Sequence, residues 1–256
     1  MNAPQVAMTL EQLGFNLKPQ EASNEWRGQF TIIAGAPKCG KSTFLAQGGS
    51  KSWFIRMAPE FRDLTTYGVD CKDILDVEKE VAKLHKANSA GILTKQFESL
   101  VFDPGDKLLE FGQDRICDDA KAPSIYEVGG YGVGQRKYKS WLRAFLSDLR
   151  TLPLHVFFCF HTKDRELSEA GSDGKKYHRW CLDISDKLDS EFPKRIDNTL
   201  NVMVGYVGNM KARTLVTQGT KFIEAGSKAP CLKKLTKIDW SENDKQNYDS
   251  FRALFQ

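Results

Sequence analysis

Nine consecutive residues, Gly35, Ala36, Pro37, Lys38, Cys39, Gly40, Lys41, Ser42 and Thr43, fit the pattern G-x-x-x-x-G-K-[ST] and follow the short apolar run Phe30-Thr31-Ile32-Ile33-Ala34. The order is strand, glycine loop, helix start, which confines the chain to folds that set a phosphate cradle at the end of a buried strand. Such a loop turns several backbone N–H groups toward one point, with the positive end of the following helix behind them, and so holds the β-phosphate of a nucleoside triphosphate. In this reading Lys41 reaches the β- and γ-phosphate oxygens, and the Ser42 hydroxyl is a Mg²⁺ ligand. Gly35 and Gly40 supply backbone angles and a close approach that a Cβ would block. The expected cofactors are ATP and Mg²⁺.

The chain has 256 residues, 41% of them hydrophobic. That is enough for one α/β domain with small additions, burying roughly three quarters of its unfolded surface. A net charge of +4 permits a polyanionic partner without requiring one. Six cysteines (Cys39, Cys71, Cys117, Cys159, Cys181 and Cys231) are scattered with no C-x-x-C pair. The scatter favours reduced thiols in a cytosolic setting over a disulfide or zinc framework. Met1 to Leu17 lacks a basic flank followed by an apolar core, and no apolar run approaches a membrane span. A soluble, cytoplasmic protein is expected.

Strands and helices alternate along the chain. Trp53-Phe54-Ile55 reads as a second strand, Leu100 to Asp103 as a short buried strand ending in a carboxylate, and Leu154 to His161 as a strand buried on both faces. Ile74, Val77, Val81 and Leu84 recur at helical spacing between Asp73 and His85. Tyr138, Trp141, Leu142, Phe145 and Leu149 do so from about Lys137 to Arg150. A helix beginning at Thr43 to Gln47 is cut short by Gly48-Gly49-Ser50. From Phe111 to Gln135 there is little periodicity, and Gly129 to Gly134 predicts a mobile loop. Residues 201–207, 213–217 and 221–225 read as strands of an antiparallel extension, and Ser241 with Asp244 could cap a last helix carrying Tyr248, Phe251 and Leu254. The expected fold is α/β: a P-loop NTPase core with a largely parallel sheet, helices on both faces and an antiparallel C-terminal extension. The expected division is a lead-in over residues 1–28 with a weak helical stretch at Met8 to Leu13, an ATPase domain over 29–236, and a helical tail over 237–256.

A phosphate loop needs an acidic partner for the metal's water shell, and Asp103 ends a buried strand where such a group belongs. Its alternative role is to cap the turn Pro104-Gly105-Asp106, and Asp106 is a weaker candidate for the same metal site. Hydrolysis also needs a group to orient the attacking water; Glu60, just past the second strand, is the preferred candidate, the alternative being a solvated acid beside Arg62. His161 ends a core strand and could report γ-phosphate state to the segment that follows, or be a satisfied polar strand end. That segment carries Lys175, Lys176, Tyr177, Arg179 and Trp180 among glycines. Cations beside stacking rings suit single-stranded nucleic acid, although a solvated loop has the same composition. Arg136, Lys137 and Lys139, after the glycine loop, make a similar, weaker case.

With these residues in place, the chain resembles the RecA-like P-loop ATPases of bacteriophages, the AAA-domain group that includes phage single-strand annealing and recombination proteins. The resemblance covers about Phe30 to Lys233. It rests on G-A-P-K-C-G-K-S-T, L-V-F-D-P-G-D-K-L, Y-G-V-G before an amphipathic helix, F-F-C-F-H-T-K-D-R-E and R-T-L-V-T-Q-G-T-K-F-I-E-A-G-S-K. It implies that Asp103 and His161 are the metal-associated acid and the strand-end sensor, with DNA-binding loops near 112–135 and 162–180. It also implies a filament or oligomer in which Lys211, Arg213 or Lys228 of one subunit completes a neighbour's ATP site, possible contact with a single-stranded DNA-binding protein, and a host-cell cytoplasmic setting. Lys228 lacks the forked geometry of the arginine seen in relatives, and Arg56-Met57-Ala58-Pro59 offsets Glu60 from its usual distance. The implied activity is DNA-stimulated ATP hydrolysis serving annealing or strand exchange. The competing readings are a P-loop kinase acting on a small acceptor and a nucleotide-gated interaction protein with little turnover.

Overall fold

The computed structural model describes residues 24–58, 64–169, 175–185, 187–207, 210–240 and 247–256. Glu60, the Met8 to Leu13 stretch and the expected cap at Ser241 and Asp244 lie outside these residues. The chain runs β1 (Phe30–Gly35), α1 (Lys41–Ala46), β2 (Ser52–Arg56), β3 (Tyr67–Asp70), α2 (Ile74–Ser89), α3 (Leu93–Gln96) and β4 (Ser99–Asp103). It continues through α4 (Gly105–Ala120), α5 (Val133–Leu149), β5 (His155–Ser168), β6 (Lys176–Leu182), α6 (Glu191–Lys194) and β7 (Asn198–Val207). Last come β8 (Met210–Val216), β9 (Gly226–Ser227), α7 (Pro230–Lys233), β10 (Lys237–Trp240) and α8 (Asn247–Ala253).

The strands form one sheet in the order β10-β8-β7-β1-β5-β4-β2-β3, with β6 added to β5 and β9 to β7. β1 pairs in parallel with β5 and β7, β4 in parallel with β5 and β2, and β2 in parallel with β3. The pairings of β8, β9, β10 and β6 are antiparallel. The largely parallel α/β sheet with an antiparallel C-terminal extension is therefore the one that forms.

The middle strands are apolar on both sides because both sides are covered. Ile32, Phe102, Phe158 and Phe160 belong to the core beneath α2, α4 and α5, while Ile33, Val101, Phe157 and Cys159 belong to the core beneath α1, α7 and α8. Period-two alternation thus feeds two cores from one strand. Where β1 starts, the fully buried His155 puts Nε2 2.7 Å from the Thr31 hydroxyl, which also takes a bond from the Asn198 amide at 3.2 Å. Burial pulls the His155 pKa down to about 3, so the folded chain holds it neutral.

Several elements differ from the sequence reading. Residues 111–120 are not irregular but belong to α4, and the Pro104-Gly105-Asp106 turn is that helix's first turn. Leu108, Leu109, Phe111 and Gly112 make its buried face. Gly112 admits the Trp141 ring, which a Cβ would meet at 2.0 Å. α5 begins at Val133, four residues before the expected start at Lys137, and the glycine turn ahead of it closes with Gly134 buried. The strand expected at 221–225 is instead a single bridge at Ile223, with β9 formed at Gly226–Ser227. The expected loop over 162–180 is a hairpin, because β5 runs on to Ser168 and pairs with β6 from Thr162↔Leu182 to Ser168↔Lys176. Residues 170–174 lie outside the described residues. Tyr248 and Phe251 of α8 are buried as expected, and β10 joins the edge of the main sheet.

Candidate nucleotide site

The loop between β1 and α1 has the backbone its sequence calls for. Gly40 sits at φ 101°, and a Cβ there would come within 3.0 Å of Arg213 and 3.2 Å of Trp240. Lys38 also takes a left-handed φ of 61°, and alternating right- and left-handed residues point successive N–H groups inward. α1 is only six residues long, so the loop amides rather than a long helix dipole supply most of the attraction for phosphate. Lys41 is buried, and its Nζ donates to the carbonyl oxygens of Gly35 at 2.9 Å and Ala36 at 3.0 Å. The ammonium is therefore held within the loop, where phosphate oxygens can replace those carbonyls.

Three neighbouring parallel strands, β1, β5 and β4, bring the other groups to the same edge. Asp103, 5% exposed, accepts hydrogen bonds from the Ser42 hydroxyl and the Cys159 thiol. Its Oδ2 is buried with no partner among the described residues. Burial raises its pKa to about 6, against the opposing pull of Ser42, Cys159, Lys41 and His161. An unmatched buried carboxylate oxygen beside a serine hydroxyl fits Mg²⁺. No group of three or more His, Cys, Asp or Glu side chains gathers for a metal among the described residues. Mg²⁺ here would thus depend on phosphate oxygens and water, its usual preference.

His161 lies opposite Gly35 in the β1–β5 register. Its Nδ1 is 2.8 Å from Oδ2 of Asp106, in the first turn of α4. The hydrogen bond to Asp106 raises the His161 pKa against the effect of partial burial. Asp106, the weaker metal candidate, is thus turned to His161. Glu60 is outside the described residues, so its role as water-orienting group stays an expectation.

Arg213, one of the three residues expected to serve a neighbour's ATP, hydrogen-bonds the phosphate loop of its own chain: Nε donates to the Cys39 carbonyl at 2.7 Å. Its guanidinium lies 5.8 Å from the Trp240 ring centroid, and Trp240 stacks on Phe44 of α1 at 5.1 Å. Sequence reasoning missed Trp240, which lies two hundred residues past Gly40 and is brought there only by the pairing of β10 with β8. Replacing Arg213 with alanine is expected to weaken ATP binding about tenfold by loosening the loop, with the fold retained; a nucleotide titration measures this. Lys211 is opposite Tyr206 in β8. Lys228 is at the far edge of the sheet, where its backbone N–H bonds Asp197 and its side chain is 63% exposed.

The expected DNA-binding residues within β6 divide between the two faces of the β5–β6 hairpin. Lys176, His178 and Trp180 point one way, and Tyr177, Arg179 and Cys181 the other. Arg179 lies opposite Arg165 in register and lines a groove with Leu182 and Glu224. Lys175 is exposed, while Lys176 pairs with Glu166 at 2.6 Å. The C-terminal end of α5 is tied to the starting edge of the strands by Arg150, bonded to Gly28 and Asp197. Its first turns, with Arg136, Lys137 and Lys139, therefore lie roughly 16–21 Å away along the helix, toward the edge of the phosphate loop.

A family model described as an AAA domain (AAA_24) matches residues 27–229. No curated protein matches the chain in sequence. Among solved structures, a KaiC-like protein from the hyperthermophilic archaeon Pyrococcus horikoshii OT3 is similar with a TM-score of 0.42 and 10% identity, over 84% of this chain and 86% of that one. No helix among the described residues is long and apolar enough to cross a membrane.

Proposed function

Because the chain belongs to the AAA domain family, we propose that it is a Mg²⁺-dependent ATPase that uses nucleotide state to control a grip on single-stranded DNA, promoting annealing or strand exchange in recombination of the phage type. The observation that carries this reading is the convergence of Lys41, Ser42, Asp103 and His161 on the edge where β1, β4 and β5 end or leave the core. Lys41 exchanges its loop carbonyls for β- and γ-phosphate oxygens. Ser42 and Asp103 hold Mg²⁺, whose charge offsets that of the phosphates when it is bound. His161 stands at the γ-phosphate end and begins the strand segment that becomes the hairpin, which gives nucleotide state a direct route to it.

Support for single-stranded DNA comes from the exposed Trp180, the partly exposed Tyr177 and the exposed Lys175 on a hairpin rooted beside the phosphate loop. The ion pairs Lys176–Glu166 and Lys221–Glu169 leave part of the hairpin's charge matched, and His178 is hydrogen-bonded to Asp164. They favour the second reading, a nucleotide-gated interaction protein.

Titration with single-stranded DNA at two salt concentrations, with and without ATP, separates the two. DNA binding predicts a log–log salt slope of about −0.7 per phosphate neutralised. It also predicts at least a tenfold loss of DNA affinity, on the order of one stacked base and two phosphate contacts, when Lys175, Lys176 and Trp180 are replaced together by alanine. ATP binding should be untouched. Salt-insensitive association, or equal affinity in the triple variant, would leave the second reading standing.

A further inference from the structure

We propose that Asp106 is a positioning residue for ATP hydrolysis, holding the His161 imidazole by Nδ1 so that Nε2 is the nitrogen offered to the γ-phosphate and the attacking water. The inference rests on the ATPase reading above and adds to it a residue and a role. The Asp106–His161 bond, at 2.8 Å, spans two elements that are locked together just beneath it. Gly105, the first residue of α4, lies so close to the Phe160 ring that an added Cβ would come within 2.5 Å of it. The start of α4 is therefore packed directly on the end of the buried part of β5, and this close packing sets the carboxylate beside the imidazole.

The two ring nitrogens of histidine lie on opposite sides of the imidazole, so a carboxylate bound to Nδ1 decides where Nε2 points and which tautomer the neutral ring adopts. The charged groups around His161 are Asp106 on α4, Asp103 at the end of β4 and Lys41 of the phosphate loop. On the ATPase reading, the last two are the groups that would face the terminal phosphates and their Mg²⁺. The second oxygen of Asp106, Oδ1, is buried without a partner among the described residues. The carboxylate is therefore directed at His161 rather than spent on capping α4, whose N-terminal turn receives no side-chain cap from Pro104. Positioned this way, His161 contacts the reacting phosphate, and Asp106 acts only through it.

The test is a double-mutant cycle on steady-state ATP hydrolysis with Asp106→Asn, His161→Ala and the pair together. Asp106→Asn should lower kcat about ten- to hundredfold and change KM for ATP less than about twofold, because orientation and not ground-state binding is lost. Asp106→Glu should recover part of kcat. In the His161→Ala background, Asp106→Asn should cost nothing further. Equal losses from Asp106→Asn in the presence and absence of His161, or a rise in KM with kcat unchanged, would overturn the role. If Asp106→Asn does not fold, Asp106→Glu in the two backgrounds gives the same comparison. A wild-type protein that binds but does not hydrolyse ATP would overturn the ATPase reading and this inference together, whereas additive variants in an active enzyme overturn this inference alone.

Discussion

Lys41→Ala is expected to abolish measurable ATP binding while the protein stays folded. The ammonium donates to two loop carbonyls, at 2.9 and 3.0 Å, and on nucleotide binding trades them for phosphate oxygens. Each charge-assisted bond of this kind contributes about 1.5–3 kcal/mol. Losing two therefore lowers affinity on the order of a hundredfold to a few tens of thousandfold. The fold loses little, because the methyl group left behind occupies the rim of a loop, and the two carbonyls become accessible to water. Calorimetric titration with ATP, together with a melting curve for each protein, separates the effects: binding should vanish and the melting temperature should move by only a few degrees.

Asp103→Asn should change activity and stability in opposite directions. Loss of the carboxylate should lower hydrolysis on the order of a hundredfold or more, since the group that orders the metal's shell is removed. The nucleotide-free fold should gain stability. The pKa of Asp103 rises from 3.8 to about 6 in the folded chain, so the folded state holds the proton more tightly than the unfolded one. Its contribution to stability is full below pH 3.8 and is lost as pH rises through about 6, leaving a penalty of about 3 kcal/mol at pH 7.5. Asparagine keeps an oxygen for Ser42 and Cys159 and carries no charge. The variant should therefore melt roughly 5–10 °C above the wild type at pH 7.5, with the gap closing toward pH 4. His155 acts in the other sense: its folded pKa of about 3 lies below the unfolded value of about 6.5, so its contribution is lost as pH falls from 6.5 toward 3. Both proteins contain His155, so it cancels in the difference. An Asp103→Asn protein that melts lower than the wild type at pH 7.5 would contradict this account of the buried carboxylate.

The phosphate loop was legible from sequence because every group it needs is contiguous from Gly35 to Thr43. Asp103 was legible because an apolar strand that ends in a carboxylate is a local pattern. β5 showed its two-sided burial as an unbroken apolar run. The β5–β6 hairpin was not legible, because its outer half carries its period of two in polar pairs such as Glu166–Lys176 and Asp164–His178 rather than in alternating apolar residues. β3 is a four-residue edge strand with no fully buried side chain, too short and too polar to signal itself. α4 was obscured by Pro104-Gly105, which ordinarily announces a turn, and by the mostly polar run from Gln113 to Asp119, in which only Ile116 and Cys117 pack against the core. The contacts that define the site beyond the loop join residues far apart in the chain: His161 with Asp106 across 55 positions and Arg213 with Cys39 across 174. Only the strand order β8-β7-β1-β5-β4 brings them together, and no local pattern encodes that order.

The most direct test of the central claim is equilibrium titration of the wild-type chain with ATP, in the presence of Mg²⁺ and again after chelation. The groups around Lys41, Ser42 and Asp103 predict uptake of one ATP per chain that weakens sharply when Mg²⁺ is removed. No uptake with Mg²⁺ present, or uptake indifferent to Mg²⁺, would contradict it.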